Sequence, residues 1–165
     1  MLFFSTALNP FFHSFSIISP RAFRREATIP QPIPAPRDLG PVPRAALTSP
    51  GEIPTLAQLG IQANQNLQQG GETAGQKRLA SFIKKHAGDY AHGRDQLGTG
   101  ATSRLSADIK FGTLSIRTVW WAVQEMSPAL SAESLERFLT ELIWREFSYS
   151  SLWDRPELLR APFRP

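Results

Sequence analysis

Cysteine is absent from this chain of 165 residues, and no stretch is long and apolar enough to span a bilayer as a helix. The first absence excludes disulfides and thiolate-bound metal and suits a reducing compartment. The three histidines, His13, His86 and His92, share no metal-like spacing, so no metal site is expected. Acidic residues are missing from the first 25 positions, where serines stand with Arg21, Arg24 and Arg25. That composition suits an organelle transit peptide, but Pro10 and Pro20 interrupt any amphipathic helix there. No positive charge precedes the apolar stretch, which argues against a secretory signal, and the expected location is the cytoplasm. Neither a Ser/His/Asp arrangement nor a glycine-rich nucleotide fingerprint occurs, and Glu141 and Glu146 do not share a helical face. No residue is therefore assigned a catalytic role.

Hydrophobic residues make up 41% of the chain, but they are unevenly spread. Eight of the 14 prolines fall between Pro30 and Pro54, and the run from Ile29 reads as extended, polyproline-like linker. Residues 1–70 are accordingly expected to form a largely irregular linker, with one helical turn over Pro54–Gly60 and a Gln/Asn/Gly loop over Asn64–Gly71. The core must come from residues 71–165, a size near the lower limit for a comfortable single domain. A net charge of +4 and an isoelectric point near 10.0 favour an anionic partner such as nucleic acid or a nucleotide cofactor.

The C-terminal part reads as all-α. Leu79, Phe82, Ile83 and Tyr90 continue one helical stripe from about Glu72, with Lys77, Arg78, Lys84 and Lys85 mostly off it. A glycine-rich loop over Gly93–Gly100 precedes a short helix from Ser106 to Phe111, stopped by Gly112. Ser115 caps the next helix, which places Ile116, Val119, Trp120 and Val123 at core spacing and ends at Ser127-Pro128. The longest helix covers about Glu133–Leu152, with a wide apolar stripe of Leu135, Phe138, Leu139, Leu142, Ile143 and Phe147.

Two blocks carry chemistry. Thr102-Ser103-Arg104-Leu105-Ser106 sets three hydroxyls and a guanidinium beside the amides of a helix start, a plausible diphosphate cradle. Its plainer reading is a capped helix start in a loop. In the long helix, Glu141, Trp144, Arg145 and Ser148 form a second stripe. Its plainer reading is a solvated face with a Glu141–Arg145 ion pair worth a few tenths of a kcal/mol. An indole in a solvated stripe exposes a large apolar ring, so Trp144 is better explained by packing against a ligand or further protein.

The order of motifs from Gly70 onward resembles the photolyase/cryptochrome family, on the side of its class I-like deoxyribodipyrimidine photolyases. The match runs through Gly70–Ala74, Tyr90 with Arg94-Asp95, Thr102–Ser106, Lys110–Gly112, Ser115–Trp120, Glu141–Phe147 and Pro156–Leu158. Leu8–Phe12 and the proline-rich stretch look, more loosely, like the linker that leaves the family's antenna domain. The resemblance implies the N-terminal portion of a helical FAD-binding domain within a light-driven enzyme that splits cyclobutane pyrimidine dimers. By the same resemblance Tyr90, Thr102, Ser103, Arg104, Leu105, Ser106, Glu141 and Arg145 would contact FAD. Glu141 and Trp144 would meet the extruded lesion of damaged DNA. Ala101 departs from a glycine usual in the family before the Thr-Ser-Arg run. A sequence of this length would be a fragment, lacking antenna and later helical segments and inactive alone. The alternatives are a cryptochrome photoreceptor or an inactive remnant.

Overall fold

A computed structural model describes residues 24, 28–38, 40–41, 51–126 and 130–162. The chain divides into two units, one of Gly70–Pro165 with the chain up to Pro32, the other Ile33–Gln69. In the second, Thr55 builds a turn. Its hydroxyl accepts from the Gln58 N–H at 3.3 Å, and the Gln58 side chain accepts from the Thr55 N–H at 2.7 Å. This reciprocal cap starts a helix that proceeds no further than one turn, closed by the Ile61 N–H on the Leu56 carbonyl at 2.8 Å.

The helical unit contains α1 (Glu72–Lys85), α2 (Tyr90–Gly93), α3 (Ser106–Phe111), α4 (Ile116–Glu125) and α5 (Ala132–Asp154). Short 3-10 turns follow α1 at Ala87–Asp89 and α5 at Pro156–Leu159. Among the described residues there is no strand. The all-α reading and the helix starts near Glu72 and at Ser106 hold, while the stripe read through to Tyr90 does not form one helix. It breaks at His86, where the backbone leaves helical geometry, and resumes in the 3-10 turn and α2. The break lets Tyr90 turn back onto Phe82. Its ring stands edge-on to Phe82 at 5.8 Å and to Phe138 of α5 at 5.1 Å, and Phe82 and Phe138 lie 4.9 Å apart. Burial of such rings is the dominant local contribution, and truncating one to alanine costs about 3–5 kcal/mol.

Around this trio the core comprises Leu79, Leu105, Leu114, Ile116, Val119, Trp120, Val123, Leu139, Leu142 and Ile143. The Ser115 hydroxyl caps α4 by accepting from the Arg117 N–H at 3.2 Å, as the sequence indicates. The Ser127-Pro128 stop lies outside the described residues. Ser131 caps α5 by accepting from the Ser134 N–H at 3.1 Å. Buried Ser134 in turn donates to the Gly88 carbonyl at 3.0 Å and accepts from the Ala91 N–H at 3.1 Å, tying α5 to the start of α2. Gly112 ends α3 at φ 73°, a left-handed conformation that glycine adopts without a Cβ clash.

One polar junction is not evident in the sequence. Arg78 does not stay on a solvated face but forks onto the buried carboxylate of Asp108 in α3, with contacts of 2.9 and 2.5 Å. The Thr113 hydroxyl adds a third contact at 3.1 Å. The Arg78 hydrogen bond holds the Asp108 carboxyl below the usual carboxylate range, against the opposing effect of burial.

Candidate functional site

The turn before α3 is shaped by backbone more than by side-chain caps. Arg104 takes φ 53°, rare outside glycine, and this reversal drives Leu105 inward until its side chain is 1% exposed. Leu105 occupies the N-cap position, and no side chain caps the first turn of α3. The plainer reading of a hydroxyl-capped helix start is thereby corrected: Ser103 reaches only the Leu105 N–H, at 3.4 Å. Thr102, Arg104 and Ser106 are left exposed, with Ser103 half-buried. Hydroxyls and a guanidinium thus stand at the surface beside a helix start whose N-cap residue carries no side-chain cap. That donor set fits an anionic phosphate ester.

The second half is the outward side of α5 with the end of α2. The Glu141–Arg145 ion pair expected along α5 does not form. Glu141 instead pairs with Arg94, one residue beyond α2, and Arg145 pairs with its neighbour Glu146 at 2.9 Å. Geometry explains the exchange. Arg94 follows Tyr90 by one helical turn, and with Tyr90 buried against α5 the Arg94 guanidinium lies 5.7 Å above its ring, facing Glu141. The hydrogen bond to Glu141 raises the Arg94 guanidinium pKa further, while burial pushes the Tyr90 phenol up. Arg145 lies across the Tyr149 ring at 4.6 Å, one turn along. Glu146 is 3% exposed, and burial raises its carboxyl pKa despite Arg145 beside it.

Trp144 is 48% exposed, its ring edge-on to Phe147 at 6.0 Å. A half-open indole beside a carboxylate offers a stacking surface with a hydrogen-bond acceptor at its edge. The two halves are joined by consecutive residues. A Cβ on Gly93 would meet the Ala101 Cβ at 2.7 Å, so the Thr102 turn runs directly against α2, and Arg94 next to Gly93 reaches Glu141. Tyr90 and Leu105 are core residues, whereas Thr102, Arg104, Ser106 and Trp144 face outward. Arg94 was not among the site residues read from the sequence. Its spacing four residues after Tyr90 was the available signal.

No family model matches the chain. It is 34% identical over 146 residues to a deoxyribodipyrimidine photo-lyase of Synechococcus, covering 82% of this chain and 30% of that protein. To the deoxyribodipyrimidine photo-lyase of Streptomyces griseus it is 37% identical over 99 residues, or 60% of this chain and 21% of the relative. A cryptochrome DASH of Gloeobacter violaceus is 34% identical over 133 residues, 74% of this chain and 26% of its own length. The chain therefore spans less than a third of each of these relatives. Among solved structures, a bacterial class III photolyase from Agrobacterium tumefaciens superposes with a TM-score of 0.57 at 29% identity, covering 66% of this chain and 24% of that one.

Proposed function

The chain belongs to the photolyase/cryptochrome family along the stretch that aligns with it, and from that premise we propose that it is the N-terminal portion of the FAD-binding helical domain of a light-driven deoxyribodipyrimidine photo-lyase. The observation that carries the reading is the chain of contacts from Ala101 to Gly93 and from Arg94 to Glu141. It ties the phosphate-suited turn to the helix that bears the open indole.

In this assignment Thr102, Ser103, Arg104 and Ser106 would hold the diphosphate and ribityl part of FAD, with Leu105 contributing through its backbone because its side chain is buried. Tyr90 would support the flavin from its packed position, and Arg145 and Glu141 would complete the protein side. When bound, reduced FAD would, on excitation by light, lend one electron to a cyclobutane pyrimidine dimer and take it back once the ring has split. Glu141 and Trp144 receive the extruded lesion, which costs less to flip from the duplex than a sound pair. The indole stacks on the bases, Glu141 accepts hydrogen bonds from them, and Arg94 holds that carboxylate in place. The DNA partner suits the net positive charge.

The test is Trp144→Ala in the native full-length protein, read by binding to dimer-containing DNA and by blue-light repair. Losing the stacking surface is expected to weaken lesion binding by roughly tenfold or more, about 1–3 kcal/mol per stacked base, while leaving the flavin absorbance unchanged. A full-length protein that retains flavin but repairs no dimer, with or without Trp144, would instead identify a cryptochrome, and unchanged repair in the variant would remove Trp144 from the site.

A further inference from the structure

Beyond the site, described residues of the N-terminal segment touch the helices at points that the proposed function does not use. Arg24 forks onto Glu136 of α5, whose carboxyl it holds below the usual range. Ile29 packs, partly buried, against the hydrophobic core. The Trp121 indole N–H on α4 donates to the Pro30 carbonyl at 3.1 Å. An indole N–H gripping the carbonyl of a prolyl residue is the chemistry with which aromatic surfaces hold extended proline-bearing strands. Proline suits this role because the strand is stiff before it docks and loses little freedom on binding. Immediately afterwards, at Ile33, the chain leaves for the separate unit Ile33–Gln69 and returns only at Gly70.

The geometry points to a clasp: the α4–α5 face around Trp121 is a docking surface for an extended prolyl strand, and its occupant is this chain's own segment around Ile29-Pro30. The clasp then fixes the segment around Ile29-Pro30 against the helical unit. The exposed Arg24–Glu136 pair contributes little affinity and selects register, whereas Ile29 and the indole bond supply the hold.

The absence of cysteine from these 165 residues makes the test clean. In the full chain, Arg24→Cys with Glu136→Cys replaces the ion pair and leaves Ile29 and the indole bond as the docking contacts. A short bis-maleimide should then close an intramolecular crosslink, and adding Ile29→Asp or Trp121→Phe should slow closure by about tenfold, toward the rate of a free tether. Helical circular dichroism should not change, because both positions lie at the edge of the core. Equal rates in the parent and Ile29→Asp backgrounds would overturn the clasp. So would crosslinked dimers in place of monomers, which would assign the face to a second copy's strand, or a loss of helix in Ile29→Asp, which would make the segment part of the fold.

Discussion

Two buried carboxylates, Asp108 and Glu146, respond to their surroundings in opposite directions. Asp108 receives a two-point fork from Arg78 and a hydroxyl from Thr113, so its ionised form is favoured in the fold. A depressed folded pKa means that the stabilisation is present above the unfolded value, near 3.9, and is lost as pH falls through the folded value. Asp108→Asn is expected to cost about 2–3 kcal/mol at pH 7, since it leaves a partly buried guanidinium without its counter-charge. Thermal melts of variant and parent should converge below about pH 4. Glu146 is the reverse case. Its folded pKa is raised by burial, so the neutral form is favoured, and stability is fullest below the unfolded value near 4.3 and declines as pH rises through the folded one. Glu146→Gln should therefore melt a few degrees above the parent at pH 7, with the difference shrinking on acidification to pH 4. Equal melting at pH 7 would mean that Arg145 fully offsets the burial.

At the level of elements, the stripes in α4 and α5 were legible because 3.6-residue periodicity reflects which side a helix can bury. Ser115 and Gly112 were legible because caps are local chemistry. The partners of charged residues were not. Glu141 and Arg145, four apart on α5, look like a ready ion pair, yet Glu141 takes Arg94, which tertiary packing brings in from beyond α2, and Arg145 takes its sequence neighbour Glu146 where the helix face turns inward. Where α1 would end was equally hidden, because Tyr90 sits in phase with Phe82 whether or not the helix continues to it. The close approach of α2 to the loop before α3 yields a test at this scale. Gly93→Ala forces its new methyl into the Ala101 methyl, and a cost of about 1–2 kcal/mol is expected after the gain in helix propensity is offset. Combining it with Ala101→Gly, the residue usual in the family at that place, should restore most of the loss. A double variant no more stable than Gly93→Ala, measured by thermal or urea unfolding, would show that the strain arises elsewhere.

For the molecule as a whole, the helical stripes after Gly71 were enough to indicate the all-α class, and the order of short motifs from Gly70 onward resembles the family. Folding then decided what those motifs touch. Only the packed arrangement carries the Thr102 turn to α2 and Arg94 to Glu141, commits Asp108 to Arg78, and lays Ile29 and Pro30 against α4 from far away along the chain. The physical reason is range. Helix period, capping and turn chemistry act over a few residues and can be read along the sequence, whereas ion-pair choice, burial of a carboxylate and the docking of a distant strand depend on which surfaces meet once the core has closed.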